Sequence, residues 1–160
     1  MKKYIKAKKL ENLKSPLIVA ATNFKQGKIE YFDKGPLIEI LLASAGIPFL
    51  FEVAKVDEVP YIDGGVMDNL PLEPLKNKCN KLIGVHVNPI GESESPKSPM
   101  HVAERAFNLA IASEIERKRR SFDWFIEPEQ LKRFGMFDLK KANEIYNIGY
   151  NCAKEIFTES

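Results

Sequence analysis

The sequence predicts a mixed α/β fold with a mostly parallel sheet. Two short apolar segments, Pro16–Thr22 and Lys81–Pro89, have the composition of strands that are buried on both faces. Between and after them, apolar residues recur every three to four positions, which is typical of amphipathic helices. Strands that alternate with helices favour α/β layering, in which helices cover a sheet.

The first half of the chain predicts two strands, a helix and a third strand. The run Pro16–Thr22 and the segment Lys28–Phe32 flank a turn and indicate a hairpin. Pro36 suits the first turn of a helix whose end is marked by Gly46 and Pro48. Val59–Ile62 is the third strand.

The second half continues the alternation of helices and strands. A helix is predicted over residues 71–79, a buried strand over 81–89 and a polar surface loop over 91–99. Ser98 and Pro99 begin a long helix, with Ser98 as its cap. A strand follows within residues 123–128, and Asp138 is expected to cap a final amphipathic helix.

Length and composition predict a domain without a membrane span. A chain of 160 residues can bury one sizeable core. Its most apolar stretch, Leu37–Phe51, is interrupted by Glu39, Gly46 and Pro48, whereas a spanning helix needs about 20 apolar residues. The N-terminus has no apolar signal region, so we expect a cytoplasmic location. We divide the chain into a basic arm, residues 1–14, and a body, residues 15–160.

The charge distribution argues against nucleic-acid binding. Residues 1–14 hold six lysines and one glutamate, a net charge of +5, whereas the remaining 146 residues hold 18 basic and 21 acidic side chains, a net charge of −3. A nucleic-acid binder needs a basic face within the fold. The run Arg117–Arg120 falls where a helix should end, and cations there complement the helix dipole. We expect no nucleic-acid partner.

No metal or cofactor is predicted. Cys79 and Cys152 are far apart in sequence, and neither belongs to a Cys/His cluster, so neither a disulfide framework nor a zinc site is indicated. The glycines are scattered and form no phosphate-binding motif.

Asp63 is the strongest candidate for a functional residue. It ends a buried strand, where open α/β sheets place their ligands, and Gly64 and Gly65 follow it at once. We expect these glycines to turn sharply with positive φ and to leave room beside a partly desolvated carboxylate, which then suits a base. A turn aspartate that bonds its own backbone is the alternative.

Three ordered segments resemble the C-terminal half of patatin-like phospholipases. They are SPLIVAATNFKQGKIEYF, GPLIEILLASAGIPFLF and VPYIDGGVMDNLPLEPL, and later segments extend the resemblance over nearly all of the chain. The family implies a three-layer α/β fold and hydrolysis of lipid or phospholipid esters. It also implies a Ser-Asp dyad in which Asp63 is the base, without metal or cofactor, and a peripheral contact with membranes.

The family's glycine-rich oxyanion loop and its Gly-x-Ser-x-Gly motif have no counterpart in these 160 residues. We therefore expect the chain to supply the aspartate while the serine lies elsewhere, and to be inactive alone. Pairing with an N-terminal half or self-association would follow. A non-catalytic module that assembles with a partner chain is the alternative.

Other polar residues are weaker candidates. Ser44 has half of a nucleophile-elbow pattern but falls near the end of a helix. His86 is expected to be partly buried with its hydrogen bonds satisfied, and His101 to be exposed, although a triad with either stays open. Asp68 and Asn69 suit a turn or cap, and Asn69 is a candidate, with Gly64 and Gly65, for supporting the loop of Asp63.

Overall fold

The computed structural model describes residues 5–48, 50–92, 95, 96, 98–135 and 138–158, and divides the chain into two compact units, Met1–Pro74 and Leu75–Ser160. The first contains β1 (Val19–Asn23), β2 (Lys28–Phe32), α1 (Leu37–Ser44), β3 (Ala54–Val56) and β4 (Val59–Asp63). The second contains β5 (Ile83–Val85), α2 (Pro99–Arg119), β6 (Trp124–Ile126) and α3 (Ala142–Thr158). The mixed α/β class is confirmed.

The first unit is built on a four-stranded sheet in the order β2-β1-β4-β3. β1 is central and buried along its whole length, as its apolar run predicts. Helix α1 contacts β1, β3 and β4. The core contains the following buried side chains: Leu10, Val19, Ala21, Leu37, Ile40, Ala43, Val56 and Tyr61.

All three strand pairs of this sheet are antiparallel, which differs from the mostly parallel sheet expected from sequence. Four residues join β1 to β2 and two residues join β3 to β4, whereas a parallel pair needs a crossover of about a dozen residues or more. The two-residue turn uses Asp57 and Glu58 with φ of 48° and 62°, the conformation that matches the twist of a tight hairpin.

Parallel pairing occurs in the second unit. β5 and β6 are parallel, with Ile83 opposite Trp124 and Val85 opposite Ile126, and α2 lies between them in sequence. This is the βαβ arrangement that the alternating pattern predicts. Helix α2 begins at the predicted Ser98 cap, whose Oγ accepts a hydrogen bond from the His101 N–H at 3.1 Å.

Three predictions for the second half need correction. Residues 71–79 form no α-helix but one 3₁₀ turn, Glu73–Leu75, because Pro74 has no N–H to donate and Asn77 has a φ of 62°. The strand expected over residues 81–89 is confined to Ile83–Val85, and these two side chains are half exposed because β5 pairs with one strand in the described structure. Asp138 makes no side-chain cap and precedes a 3₁₀ turn, Leu139–Lys141, not α3 itself.

The division into a 1–14 arm and a 15–160 body stays a prediction, although Leu10 of that arm is buried in the core of the first unit. Part of the predicted loop, residues 93, 94 and 97, lies outside the described residues.

Cys79 and Cys152 are free thiols. Within the described residues, no helix combines the length and the apolar content that are needed to cross a membrane.

Candidate active site

Hydrogen bonds from two elements fix the backbone of Asp63 at the end of β4. Its N–H donates to the carbonyl of Gly46, just beyond α1, at 3.0 Å. Its carbonyl accepts from the hydroxyl of Thr22, a buried residue of β1, at 2.9 Å. The strand end is therefore held between the central strand and the segment after α1.

One oxygen of the Asp63 carboxylate is anchored and the other is available. Oδ1 accepts the Gly65 N–H at 2.7 Å. In the part of the chain that the structure describes, Oδ2 accepts no hydrogen bond. No buried side-chain oxygen or nitrogen there lacks a partner, so the unbonded Oδ2 retains contact with solvent.

Burial raises the pKa of Asp63, and the Gly65 N–H opposes this by stabilising the charged form. The carboxyl is half-buried, so the ionised form has lost part of its hydration. A carboxylate in this state binds a proton more readily than one in water, which is the property that a general base requires.

Gly64 and Gly65 are required because a Cβ at either position would be too close to neighbouring atoms. Neither glycine has a positive φ, which corrects the expectation from sequence. A Cβ on Gly64 would lie 2.4 Å from the carbonyl oxygen of Ala20. A Cβ on Gly65 would lie 2.5 Å from Asn69 Oδ1 and 3.0 Å from Asp63 Oδ1. The two glycines therefore allow the loop to pack on β1 and leave room beside the carboxylate.

The neighbouring Asp68 and Asn69 differ in their surroundings. Asp68 is buried, and its carboxylate accepts a hydrogen bond from the Tyr31 hydroxyl on β2. Asn69 is exposed, with its Oδ1 next to Gly65. Asp68 thus ties the end of the loop to the sheet, while Asn69 lies close to the turn that Asp63 caps.

Ser44 is the last residue of α1, so it does not lie on a strand-to-helix elbow. His86 is buried, as expected, and its Nδ1 lies 2.7 Å from Glu127 Oε1, so one of its two ring nitrogens is paired within the described residues. His101 is half-buried in the first turn of α2, so the expectation that it is exposed needs correction.

Sequence reasoning did not identify Glu127 as the partner of His86. The signal was the parallel register, since His86 and Glu127 directly follow the paired residues Val85 and Ile126.

The sequence analysis also missed Glu30, whose carboxylate accepts hydrogen bonds from Asn23 and Tyr61. Burial and this carboxylate raise the pKa of Tyr61 to about 12. Among the described residues, no three His, Cys, Asp or Glu side chains are grouped to hold a metal ion.

Comparison with known proteins gives a family match for the N-terminal part of the chain. Residues 1–76 match the patatin-like phospholipase family. An uncharacterized NTE family protein of Mycobacterium tuberculosis is 36% identical over 66 residues, which cover 41% of this chain and 18% of that protein. The expected resemblance to this family of lipid hydrolases is confirmed for this region.

A second group of relatives extends further along the chain. A lysophospholipase of Meyerozyma guilliermondii is 22% identical over 164 aligned positions, which cover 86% of this chain and 11% of that protein. A lysophospholipase of Scheffersomyces stipitis is 21% identical, with 86% and 10% coverage. The chain thus spans less than a fifth of the length of these relatives.

Proposed function

Because residues 1–76 match the patatin-like phospholipases, we propose that this chain supplies the base of a Ser-Asp dyad in a lipid acyl hydrolase. The base is Asp63. The observation that carries the proposal is the state of its carboxylate, which is half-buried, anchored through Oδ1 to the Gly65 N–H and unbonded at Oδ2.

The proposed step is a proton transfer to Oδ2. A serine hydroxyl approaches the unbonded oxygen and gives up its proton as its oxygen attacks the ester carbonyl. The Gly65 N–H holds the carboxylate in place, and burial favours the protonated product over the ionised reactant. When the leaving alcohol departs, the Asp63 carboxyl returns the proton to it.

The serine would come from outside these 160 residues, since no Gly-x-Ser-x-Gly motif occurs within them. The oxyanion donors would come from the same place. An acyl transfer needs both, because one oxyanion donor contributes about 2.7–4 kcal/mol to lowering the barrier. The chain without that segment would therefore be inactive.

The proposed substrates are esters of lipids, with phospholipids and lysophospholipids the first to test. This class rests on the family match and on the lysophospholipases among the relatives. The apolar side chains that stay exposed in the first unit, among them Leu50, Phe51 and Met67, are compatible with a peripheral lipid surface.

Substitution of Asp63 in the protein that includes the serine-bearing segment tests the proposal. Asp63→Asn retains an oxygen that can accept the Gly65 N–H but removes basicity, and loss of a general base lowers rates about 10²–10⁴-fold. Hydrolysis of a lysophospholipid and of a short-chain aryl ester should both fall by this amount.

Asp57→Asn is the matched control, because it makes the same chemical change in the exposed turn before β4. It should leave hydrolysis within twofold of the parent. If Asp63→Asn also stays within twofold, Asp63 is not the base.

A further inference from the structure

The unit Leu75–Ser160 contains an open cleft that the proposed hydrolase chemistry does not use. Its volume is about 500 Å³, within the range of small-molecule sites. One wall is the middle of α2, and the other is formed by the segments that follow β5 and β6. The lining combines polar and apolar surface, and the residues that provide its apolar part are Pro89, Ile90, Leu109, Ala112 and Ile115.

A buried histidine and a partly buried glutamate line the same cleft. The parallel register of β5 and β6 ends at Val85 and Ile126, so His86 and Glu127 follow side by side. The main-chain N–H of His86 donates to the Ile126 carbonyl at 2.9 Å, which extends the pairing of β5 with β6 by one hydrogen bond. His86 is 7% exposed, and its Nδ1 lies 2.7 Å from Glu127 Oε1.

The partners of Glu127 determine which ring nitrogen of His86 carries hydrogen. Burial opposes the charge, but hydrogen bonds from His86 and Arg119 outweigh it and hold the pKa of Glu127 below its usual value. The ionised carboxylate can only accept, so the His86 Nδ1 is the donor. In the neutral ring, Nε2 then carries a lone pair and is an acceptor.

The second ring nitrogen of His86, Nε2, keeps some contact with solvent. It has no hydrogen-bond partner among the described residues, and no buried side-chain nitrogen there lacks one. Nε2 must therefore keep contact with solvent, and for a side chain that is more than nine-tenths buried and lines the cleft, that solvent is in the cleft. The site offers one oriented acceptor beside an apolar wall.

The charged side chains of the lining are paired with one another. Arg119 contacts Glu127 and donates from Nε to Glu116 at 2.9 Å, and Lys132 contacts Glu129. A charged ligand would compete with these partners and lose part of its own hydration. The pairing therefore favours an uncharged ligand.

We propose that this cleft is a binding site for an uncharged alcohol with an apolar body, whose hydroxyl donates a hydrogen bond to His86 Nε2. The apolar wall of α2 takes the hydrocarbon part of the ligand. Glu127 is a positioning residue, because it fixes the ring and its tautomer and leaves Nε2 for the ligand. This site is separate from Asp63 and does not depend on its role.

Titration of the full 160-residue chain with 1-hexanol at pH 8 tests the proposal. Side-chain ¹H–¹⁵N spectra report the two histidines of the chain separately. The Nε2 resonance of His86 should shift saturably while that of His101 stays unchanged. Hexyl methyl ether, which has the same apolar body but no donor, should bind about fivefold more weakly because one hydrogen bond is lost.

Two variants separate the hydroxyl contact from the apolar contact. His86→Phe keeps a ring but removes Nε2. This variant should therefore bind hexanol no more tightly than it binds hexyl methyl ether. Ala112→Leu adds volume on the α2 side of the cleft, and it should weaken both ligands alike. His101→Gln is the control and should leave both affinities unchanged.

Three results would overturn the proposal. They are a His86 resonance that does not respond to hexanol, equal binding of the ether and the alcohol, and tighter binding of protonated hexylamine than of hexanol. The comparison of the three ligands uses the unaltered chain, so it decides the matter even if a variant fails to fold.

Discussion

At the scale of single residues, the partly buried charge of Asp63 lowers the stability of the fold at neutral pH, and the same burial makes its carboxylate a better base. Its carboxylate is partly desolvated, and its pKa is raised by that burial in spite of the Gly65 hydrogen bond. A carboxyl with a raised folded-state pKa binds its proton more tightly in the folded state. Folding is then favoured at low pH, and this advantage is lost as pH rises from the unfolded pKa through the folded one.

Asp63→Asn should therefore stabilise the fold at neutral pH, because it removes the cost of a partly buried charge. The gain should shrink to zero as pH falls below the unfolded pKa of aspartate, where the parent carboxyl is also uncharged. Urea unfolding of the first unit at pH 7 and at pH 3 measures both. A loss of stability at pH 7, or the same gain at both pH values, would contradict the pKa assignment.

The glycines after Asp63 should differ in their tolerance of alanine. A Cβ on Gly64 meets the backbone carbonyl of Ala20, which cannot move without distorting β1, so Gly64→Ala should cost about 1–3 kcal/mol of unfolding free energy. A Cβ on Gly65 meets mainly the exposed Asn69 side chain, which can rotate away. Gly65→Ala should cost less, and denaturant unfolding that reverses this order would contradict the packing described.

Some of these residue-scale features could be predicted from sequence and some could not. The predicted strand end and the two glycines identified Asp63 as a candidate residue. The glycine pattern predicted positive φ, whereas the actual constraint is the close approach of the Ala20 backbone to Gly64. The His86–Glu127 pair depends on the register of two strands 41 positions apart. Local periodicity carries no information about register between distant segments.

At the scale of elements, the cap of α2 and the burial of β1 were predictable, whereas the length of β5 and the direction of the strands were not. Ser98 and Pro99 begin α2 as expected, and β1 is buried along its length. An apolar run indicates burial, but it does not distinguish a parallel from an antiparallel neighbour. The short turns before β2 and β4 decide the direction in the first sheet.

The cap of α2 gives a test at this scale. Ser98→Ala removes the acceptor of the His101 N–H and should lower the unfolding free energy by about 1 kcal/mol. Ser113→Ala makes the same change at an exposed position within α2, where alanine is the better helix former, so stability should be unchanged or slightly higher. Thermal unfolding that gives equal losses for both would contradict a capping role.

At the scale of the whole molecule, the family match and the structural division coincide. The match ends at residue 76, and the first compact unit ends at Pro74. That unit contains Asp63 and the residues that hold it, so the proposed dyad base belongs to the region with the clearest similarity.

We expect the chain to self-associate. Large apolar side chains stay exposed in both units, including Phe24, Leu50, Val102 and Tyr146. Edge strands β2 and β3 also present unpaired backbone groups within the described sheet. Sedimentation at tens of micromolar, roughly where exposed apolar surface leads to association, should give a species larger than 18.2 kDa. A stable monomer would argue against this expectation.

The central claim is that Asp63 activates a serine that lies outside these 160 residues, and fluorophosphonate labelling tests it most directly. The chain alone should stay unlabelled. The protein that includes the serine-bearing segment should label at a serine outside the chain, more slowly with Asp63→Asn and at the parent rate with Asp57→Asn. Labelling of the isolated chain that Ser44→Ala abolishes would place the nucleophile inside this sequence and contradict the claim.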